Sequence, residues 1–454
     1  MIGAAKIKAF SERLEGRLVH PDDGEYDTAR TIWNAMIDKR PALIARCKSQ
    51  TDVVASVEFA REHDLLVSIR GGGHNVAGNA LCDDGLMIDL SLMKGIEIDA
   101  DARTIIVQPG CTLGDLDRAS DRHGLAVPTG IVSETGIAGL TLGGGVGWLV
   151  RKYGLTCDNL ISAEVVTAAG DAVKASAEEN EDLFWGLRGG GGNFGVVTSF
   201  QYRAHPVSRV LGGMVVHPRA AAGDVFRFYR DFTKQAPDEL TAYCAMLTTP
   251  DGTAVVAVIA CYCGDAHAGE KVLRPLREFG SPIDDTIKHM PRLEMQTMFD
   301  PGFPYGNHNY WKSSFIDELT DEAIDALVEH ANRMASPLSA VMCEYYFGGP
   351  ASRVGETETA FAHRNAQYDI GIIAQWTNPD ENEQHMNWAR DAYAAIEPYA
   401  NGRIYANLMG GDQMTEISQL RAAFGVNYER LVALKQKFDP SNFFRLNQNI
   451  RPEG

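Results

Sequence analysis

The stretch LRGGGGNFGVVTSFQY, Leu187 to Tyr202, decides what kind of nucleotide-binding fold this chain can build. Gly190, Gly192 and Gly195 meet the GxGxxG spacing of a dinucleotide fingerprint. That motif works only between a preceding strand and a following helix whose N-terminus meets the pyrophosphate. The order here is reversed: EENEDLFWGLR, residues 178–188, reads as helix, and the β-branched, aromatic run VVTSFQY follows the glycines. A Rossmann fold is thereby excluded, and with no GxxxxGK[ST] in the chain a P-loop is excluded too.

Two more glycine clusters lie upstream, RGGGHNVAG at 70–78 and TGIVSETGIAGLTLGGGVGW at 129–148. Any one of the three, taken singly, reads equally as a set of turns or close strand packing. Together they expose runs of backbone N–H groups that cradle a diphosphate and let a flat ring approach the main chain. A long, flat, phosphorylated ligand such as FAD fits. His74, inside the first cluster, has three readings on its own: a structural histidine, a general base, or a group bonded to the ligand. No HxxxH or HxH partner stands near it, so no metal site is expected, and no GxSxG elbow offers a hydrolase triad.

Working outward, ALIARC, a helix VVASVEFAREHD capped by Thr51 or Asp52, and LLVSIR form a β-α-β unit that ends in the first glycines. Short strand candidates GLMIDLS, GIEIDA and RTIIVQPG follow, then strand-like ISAEVVTAAGDAV. This density of small strands predicts an α+β domain on mixed or antiparallel sheet. From about residue 208 the glycines thin out and longer runs alternate, including helical DEAIDALVEHANRM; the helix NYERLVALKQKF and tail DPSNFFRLNQNI close the chain.

The 454 residues carry a formal charge of −18, which leaves no basic surplus for nucleic acid or an anionic membrane and suits a small-molecule partner. The N-terminus lacks a signal-peptide apolar run and no stretch is long enough to span a bilayer, so a cytoplasmic protein is expected, as monomer or homodimer. Eight scattered cysteines without CxxC pairs read as reduced structural thiols, with Cys261 and Cys263 on one face of a strand.

RGGGHNVAG, LTLGGGVGWLVRKYGLTCDN (140–159), LFWGLRGGGGNFGVVTSF (183–200) and NYERLVALKQKFDPSNFFRLNQNI (427–450) together resemble the berberine bridge enzyme-like flavoproteins of the vanillyl-alcohol oxidase superfamily. The resemblance implies an α+β fold: a two-part PCMH-type FAD-binding domain, residues 1–207, a substrate domain of large antiparallel sheet and helices at 208–400, and a segment at 401–454 returning to the FAD domain. It implies FAD contacts from Arg70, Gly71, Gly72, Gly73, His74 and Asn75, from Gly130, Thr135, Gly136, Gly139, Thr141, Gly144, Gly145 and Gly147, and from Gly195, Val197, Asn447 and Asn449. His74 takes the place of the residue bonded to the flavin 8α-carbon. Val132 stands where many members carry a second, cysteine link, so attachment through His74 only is expected, as in the singly linked bacterial members. Thr135 falls near the position that governs oxygen access in the family.

The resemblance also implies an oxidase: hydride leaves a C–H bond of an amine or alcohol for the flavin, and oxygen then gives hydrogen peroxide. A flavin dehydrogenase and a non-catalytic flavin-bearing binding protein are the alternatives. Leu408 occupies the place of the family's tyrosine base and cannot accept a proton, which favours an amine whose lone pair assists hydride loss. Candidate substrate-side residues are Tyr310, Lys312, Glu344, Tyr346, Gln375, Tyr405 and Asn407, since polar groups at i and i+2 of a strand share a face. Lys312 and Glu344 read equally as a solvated ion pair.

Overall fold

The computed structural model describes residues 2–452. Its first part holds two sheets. Strand β1 (Arg17–Val19) pairs antiparallel with β2 (Leu43–Arg46), while β2 and β3 (Val67–Arg70) flank β4 (Leu86–Asp89) in parallel, giving the order β1-β2-β4-β3. Helix Gln50–Glu62 is the crossover, and its buried face of Val53, Val57, Phe59 and Ala60 seals one side of that sheet. The helix is capped by Ser49 and not by Thr51 or Asp52: Ser49 is extended and its hydroxyl accepts the N–H of Asp52. The Asp52 carboxylate turns outward from the helix instead, accepting the N–H groups of Glu15, Gly16 and Lys48.

The second sheet contains β5 (Ile96–Asp99), β6 (Thr104–Val107), β8 (Leu160–Val166), β9 (Ala172–Ser176) and β10 (Val196–Arg203), with β7 (Leu125–Ala126) paired separately to β11 (His205–Pro206). Every pairing in it is antiparallel. ISAEVVTAAGDAV is two strands, not one, because Gly170 at φ +89° turns the chain between β8 and β9. The diagnostic order holds: helix Glu181–Leu187, then the glycines, then β10.

From Arg209 onward the chain builds one antiparallel sheet of eight strands: β12 (Arg209–Pro218), β13 (Leu240–Thr248), β14 (Ala254–Tyr262), β15 (Asp284–Asp285), β16 (Lys288–Pro291), β17 (His308–Ile316), β18 (Ala340–Tyr345) and β19 (Tyr368–Trp376). Alternation divides its two faces. Ala242, Cys244, Val341, Cys343, Ile370 and Ile372 pack against helices that contribute Val225, Phe226, Leu273, Ile324 and Ala389. Tyr243, Ala245, Ile259, Phe315, Met342 and Ile373 face the other way, onto Trp148, Leu149, Val150 and Cys157 of the first part. The molecule is thus mixed α+β, as the patterning predicts, with the large antiparallel sheet that the resemblance implies. Helix Tyr428–Phe438 packs Leu431 and Leu434 with Phe184, Trp185 and Phe194, which returns the C-terminus to the glycine-rich part.

Candidate active site

One cavity lies between the glycine loops and the free face of the large sheet; with its mouth it encloses about 1870 Å³ not filled by atoms. Its lining joins segments far apart in sequence: Gly71 to Asn75, Gly130, Thr135, Gly136, Gly139, Gly195, Val197 and Asn447 on one side, Trp311, Met342, Glu344, Tyr346, Ile373, Tyr405, Asn407 and Leu408 on the other.

The glycine side is shaped for a group that lies against backbone. A Cβ at Gly72 would stand 2.5 Å from the Cα and N of Gly136, so the first two glycine loops touch main chain to main chain. Only glycine permits that approach. The N–H groups from Gly71 to Asn75 have no acceptor among the described residues, which leaves an anion cradle at the cavity wall. His74 lines the same wall, stacked on Trp33 with ring centroids 4.2 Å apart. Its Nε2 is buried and unpartnered, and burial lowers its pKa to about 4, so the imidazole is neutral. Asn447 and Asn449 each bury an unpartnered Oδ1. A cradle of N–H groups, a neutral imidazole nitrogen and the orphaned amide oxygen of Asn447 on the lining form a donor and acceptor set suited to a dinucleotide flavin.

Other expected contacts lie behind this wall. Arg70 forms a two-pronged bond to Asp89, Nε to Oδ1 at 2.9 Å and Nη2 to Oδ2 at 2.6 Å. The Thr141 hydroxyl meets the Ile137 carbonyl and the Tyr202 hydroxyl. Gly144 lies against Phe361 and Gly147 against the Thr129 carbonyl, while Gly145 donates its N–H to the Tyr405 hydroxyl at 3.1 Å. Arg70, Thr141, Gly144, Gly145, Gly147 and Asn449 are therefore outside the cavity lining.

On the sheet side, Tyr405 is held by two donors, Gly145 N–H and Asn407 Nδ2 at 3.0 Å, and burial drives its phenol pKa upward. It is a fixed neutral phenol. Leu408 reaches the lining from the same short turn, Ala406–Leu408. Tyr310 and Lys312 share a face, but it is the face covered by helices. Lys312 borders the cavity while its Nζ binds Asp412 at 2.8 Å, above the rings of Tyr310 and Tyr393. The Tyr310 hydroxyl donates to Asp412 at 2.7 Å. No Lys312–Glu344 ion pair forms. Gln375, off the lining, donates to Asn309 at 3.2 Å.

Glu344 differs from all of these. It is buried, lines the cavity, and leaves Oε2 without a partner. Burial, with the charge of Asp369 next, raises its pKa well above the ordinary carboxylate range. Asp369, directly opposite on β19, was not anticipated; its only sequence signal is a charge inside the apolar run YDIGIIAQW. Trp33, which stacks on His74, was missed for want of any local motif.

Residues 41–176 match a family model described as FAD binding domain, and residues 405–451 one described as Berberine and berberine like. An FAD-linked oxidoreductase of Dictyostelium discoideum is 35% identical over 456 residues, covering 99% of this chain and 98% of that one. The chain belongs to the berberine bridge enzyme-like FAD-linked oxidoreductases. Within that family it is also similar to (R)-6-hydroxynicotine oxidase of Paenarthrobacter nicotinovorans, at 31% identity over 97% of this chain and 98% of the relative. The crystal structure of 6-hydroxy-D-nicotine oxidase from Arthrobacter nicotinovorans superposes with a TM-score of 0.89 at 30% identity, covering 97% and 98% of the two chains. BBE-like 1 of Physcomitrella patens gives 0.88 at 26% identity and 99% coverage of each. This BBE-like oxidoreductase binds FAD, and no helix among its described residues is long and apolar enough to cross a membrane.

Proposed function

We propose that the protein is an oxidase of small amines that carries its flavin on His74 alone. The observation that supports this reading is a single cavity lined by both His74, with its unpartnered Nε2, and Glu344, with its unpartnered Oε2. When bound, the flavin would supply the acceptor for a hydride from the substrate C–H bond and the route for its electrons to oxygen.

The chain's own residues do the rest. The 71–75 N–H groups hold the diphosphate, and neutral His74 has a nitrogen lone pair free for a bond to the flavin methyl carbon. Val132, also on the lining, offers no thiol for a second bond. Met342, Ile373, Leu408 and Trp311 exclude water around the reacting carbon. Glu344 faces the amine nitrogen across that apolar space and takes its proton, so that the nitrogen lone pair assists hydride loss. Tyr405, pinned by Gly145 and Asn407, holds the Gly145 loop in place and transfers no proton.

Two measurements check this. Mixed without oxygen, small secondary and tertiary amines are expected to bleach the flavin, and air is expected to restore the colour with release of hydrogen peroxide. Bleaching by alcohols or sugars alone would overturn the amine assignment, bleaching without reoxidation by air would make the protein a dehydrogenase, and binding without bleaching would make it non-catalytic. For the tether, acid-precipitated wild type is expected to keep its yellow colour and His74→Ala to lose it; colour lost from both pellets rules out the bond.

A further inference from the structure

Three residues with unpartnered polar atoms stand in a row across the sheet beneath the substrate chamber. Tyr243 on β13 is opposite Glu344 on β18, and Glu344 is opposite Asp369 on β19. Directly opposed residues of an antiparallel pair point to the same face with Cβ atoms about 4.5–5.5 Å apart. The Tyr243 hydroxyl, Glu344 Oε2 and both Asp369 oxygens are buried without a hydrogen-bond partner among the described residues. Fourth in the row is Phe315 on β17, which has nothing to offer them.

No cation offsets the two carboxylates. Among the described residues neither forms an ion pair with Lys, Arg or His; Lys312 is spoken for by Asp412, and the titratable groups around the row are Cys261 and Tyr405 with Cys343 and Tyr229, all neutral thiols and phenols whose pKa values burial raises. His363, whose ring is tilted against that of Phe315 at 5.4 Å, donates its Nε2–H to the Ala423 carbonyl and is held neutral by burial, with a pKa of about 4. Two buried carboxylates side by side with no positive neighbour do not both ionise.

We propose that Glu344 and Asp369 share one proton and work as a single proton-accepting unit, Glu344 touching the substrate and Asp369 acting through it as a positioning residue. The proposal rests on the amine-oxidase reading of the cavity and narrows it: the substrate enters as a cation. An ammonium N–H bond breaks as an O–H bond forms on the Glu344 carboxylate, which leaves a neutral amine and a neutral acid. The extra proton then leaves to water through the cavity mouth and the pair returns to its one-proton state. Because the pair carries a single negative charge, one alkylammonium group neutralises it, while a neutral sugar leaves that charge buried and unpaired. Asp369 keeps the proton affinity of Glu344 high. Burial and the like charge act in the same direction, with the Asp369 pKa itself raised to about 8.

The test is an infrared titration of the flavin-loaded enzyme, following the C=O stretch of protonated carboxylic acid in wild type, Asp369→Asn and Glu344→Gln. The wild-type signal is expected to titrate in two steps. In Asp369→Asn the remaining Glu344 signal is expected to titrate lower by about one pH unit or more, and the acid limb of kcat/KM for an amine to move down with it. Reciprocal coupling requires the Asp369 signal in Glu344→Gln to fall by the same amount. Two independent titrations unchanged by either substitution would overturn the proposal, and Glu344→Gln supplies the answer if Asp369→Asn loses its flavin. Coupled titrations without flavin bleaching by any amine would leave the pair standing and sink the oxidase reading. Amine turnover with uncoupled carboxylates would do the reverse.

Discussion

Tyr405 and Glu344 show how neighbours assign chemistry to side chains that look alike in a sequence. Both line one cavity and both are buried, yet the phenol oxygen already receives the Gly145 and Asn407 N–H groups while Glu344 Oε2 receives nothing. A group whose acceptor capacity is filled by fixed N–H donors of the protein is part of the frame. Tyr405→Phe is therefore expected to lower stability by about 1–3 kcal/mol, the cost of leaving a buried donor unpaired, while the pH limits of kcat/KM stay where they are. Thermal denaturation and a pH–rate profile check it. A drop in kcat above about a hundredfold, together with loss of a pH limb, would show instead that Tyr405 moves a proton.

Elements of the glycine-rich part were legible because their constraints are local. The helix-before, strand-after order around GGGGNFG excludes Rossmann topology, and helix Glu181–Leu187 followed by β10 realises that order. The cradle was legible too: a main-chain contact as close as that of Gly72 with Gly136 needs glycine on both loops, and glycine is visible as such. The large sheet is different. Spacing correctly places Tyr310 with Lys312 on one face of β17, and Glu344 with Tyr346 on one side of the chain, both at the cavity, but it cannot say which face the helices cover. That choice is made by helix Asn382–Ile396, whose Trp388, Ala389 and Ala392 pack on the side that carries Tyr310. So Tyr310 went to the Asp412 network and Glu344 to the cavity, through contacts many residues away. Ser49 carries the same lesson at small scale. Three residues within four positions, Ser49, Thr51 and Asp52, were chemically able to cap the helix, and Asp52 was claimed by Glu15, Gly16 and Lys48 instead.

At the scale of the whole molecule, the cavity exists only while the two parts stay closed on each other, and buried ion pairs hold that closure. Arg292 reaches Asp117 at 2.6 Å, and Arg364 grips Asp158 with two parallel bonds of 2.7 and 2.8 Å. Asp158 sits in the Thr156–Asn159 turn, whose Thr156 packs on Gly145 beside the flavin-side loop. Arg364 comes from the segment between β18 and β19 and also donates to the Ala351 and Phe361 carbonyls and the Thr359 hydroxyl. A planar guanidinium meeting a carboxylate in this bidentate way fixes orientation as well as distance. Removing one partner leaves a desolvated carboxylate, so Arg364→Met is expected to cost about 3–5 kcal/mol. Because the turn under Gly145 loses its anchor, the variant is also expected to expose its flavin to water, read as a rise in flavin fluorescence, at a lower temperature than it loses helical signal. Adding Asp158→Asn removes the stranded charge, and the double variant is expected to regain part of the loss, which a double-mutant cycle on thermal denaturation measures. If Arg364→Met melts within about 1 kcal/mol of wild type, the pair contributes no more than an exposed one, and closure of the two parts then rests on the apolar contact of Trp148 and Leu149 with the large sheet.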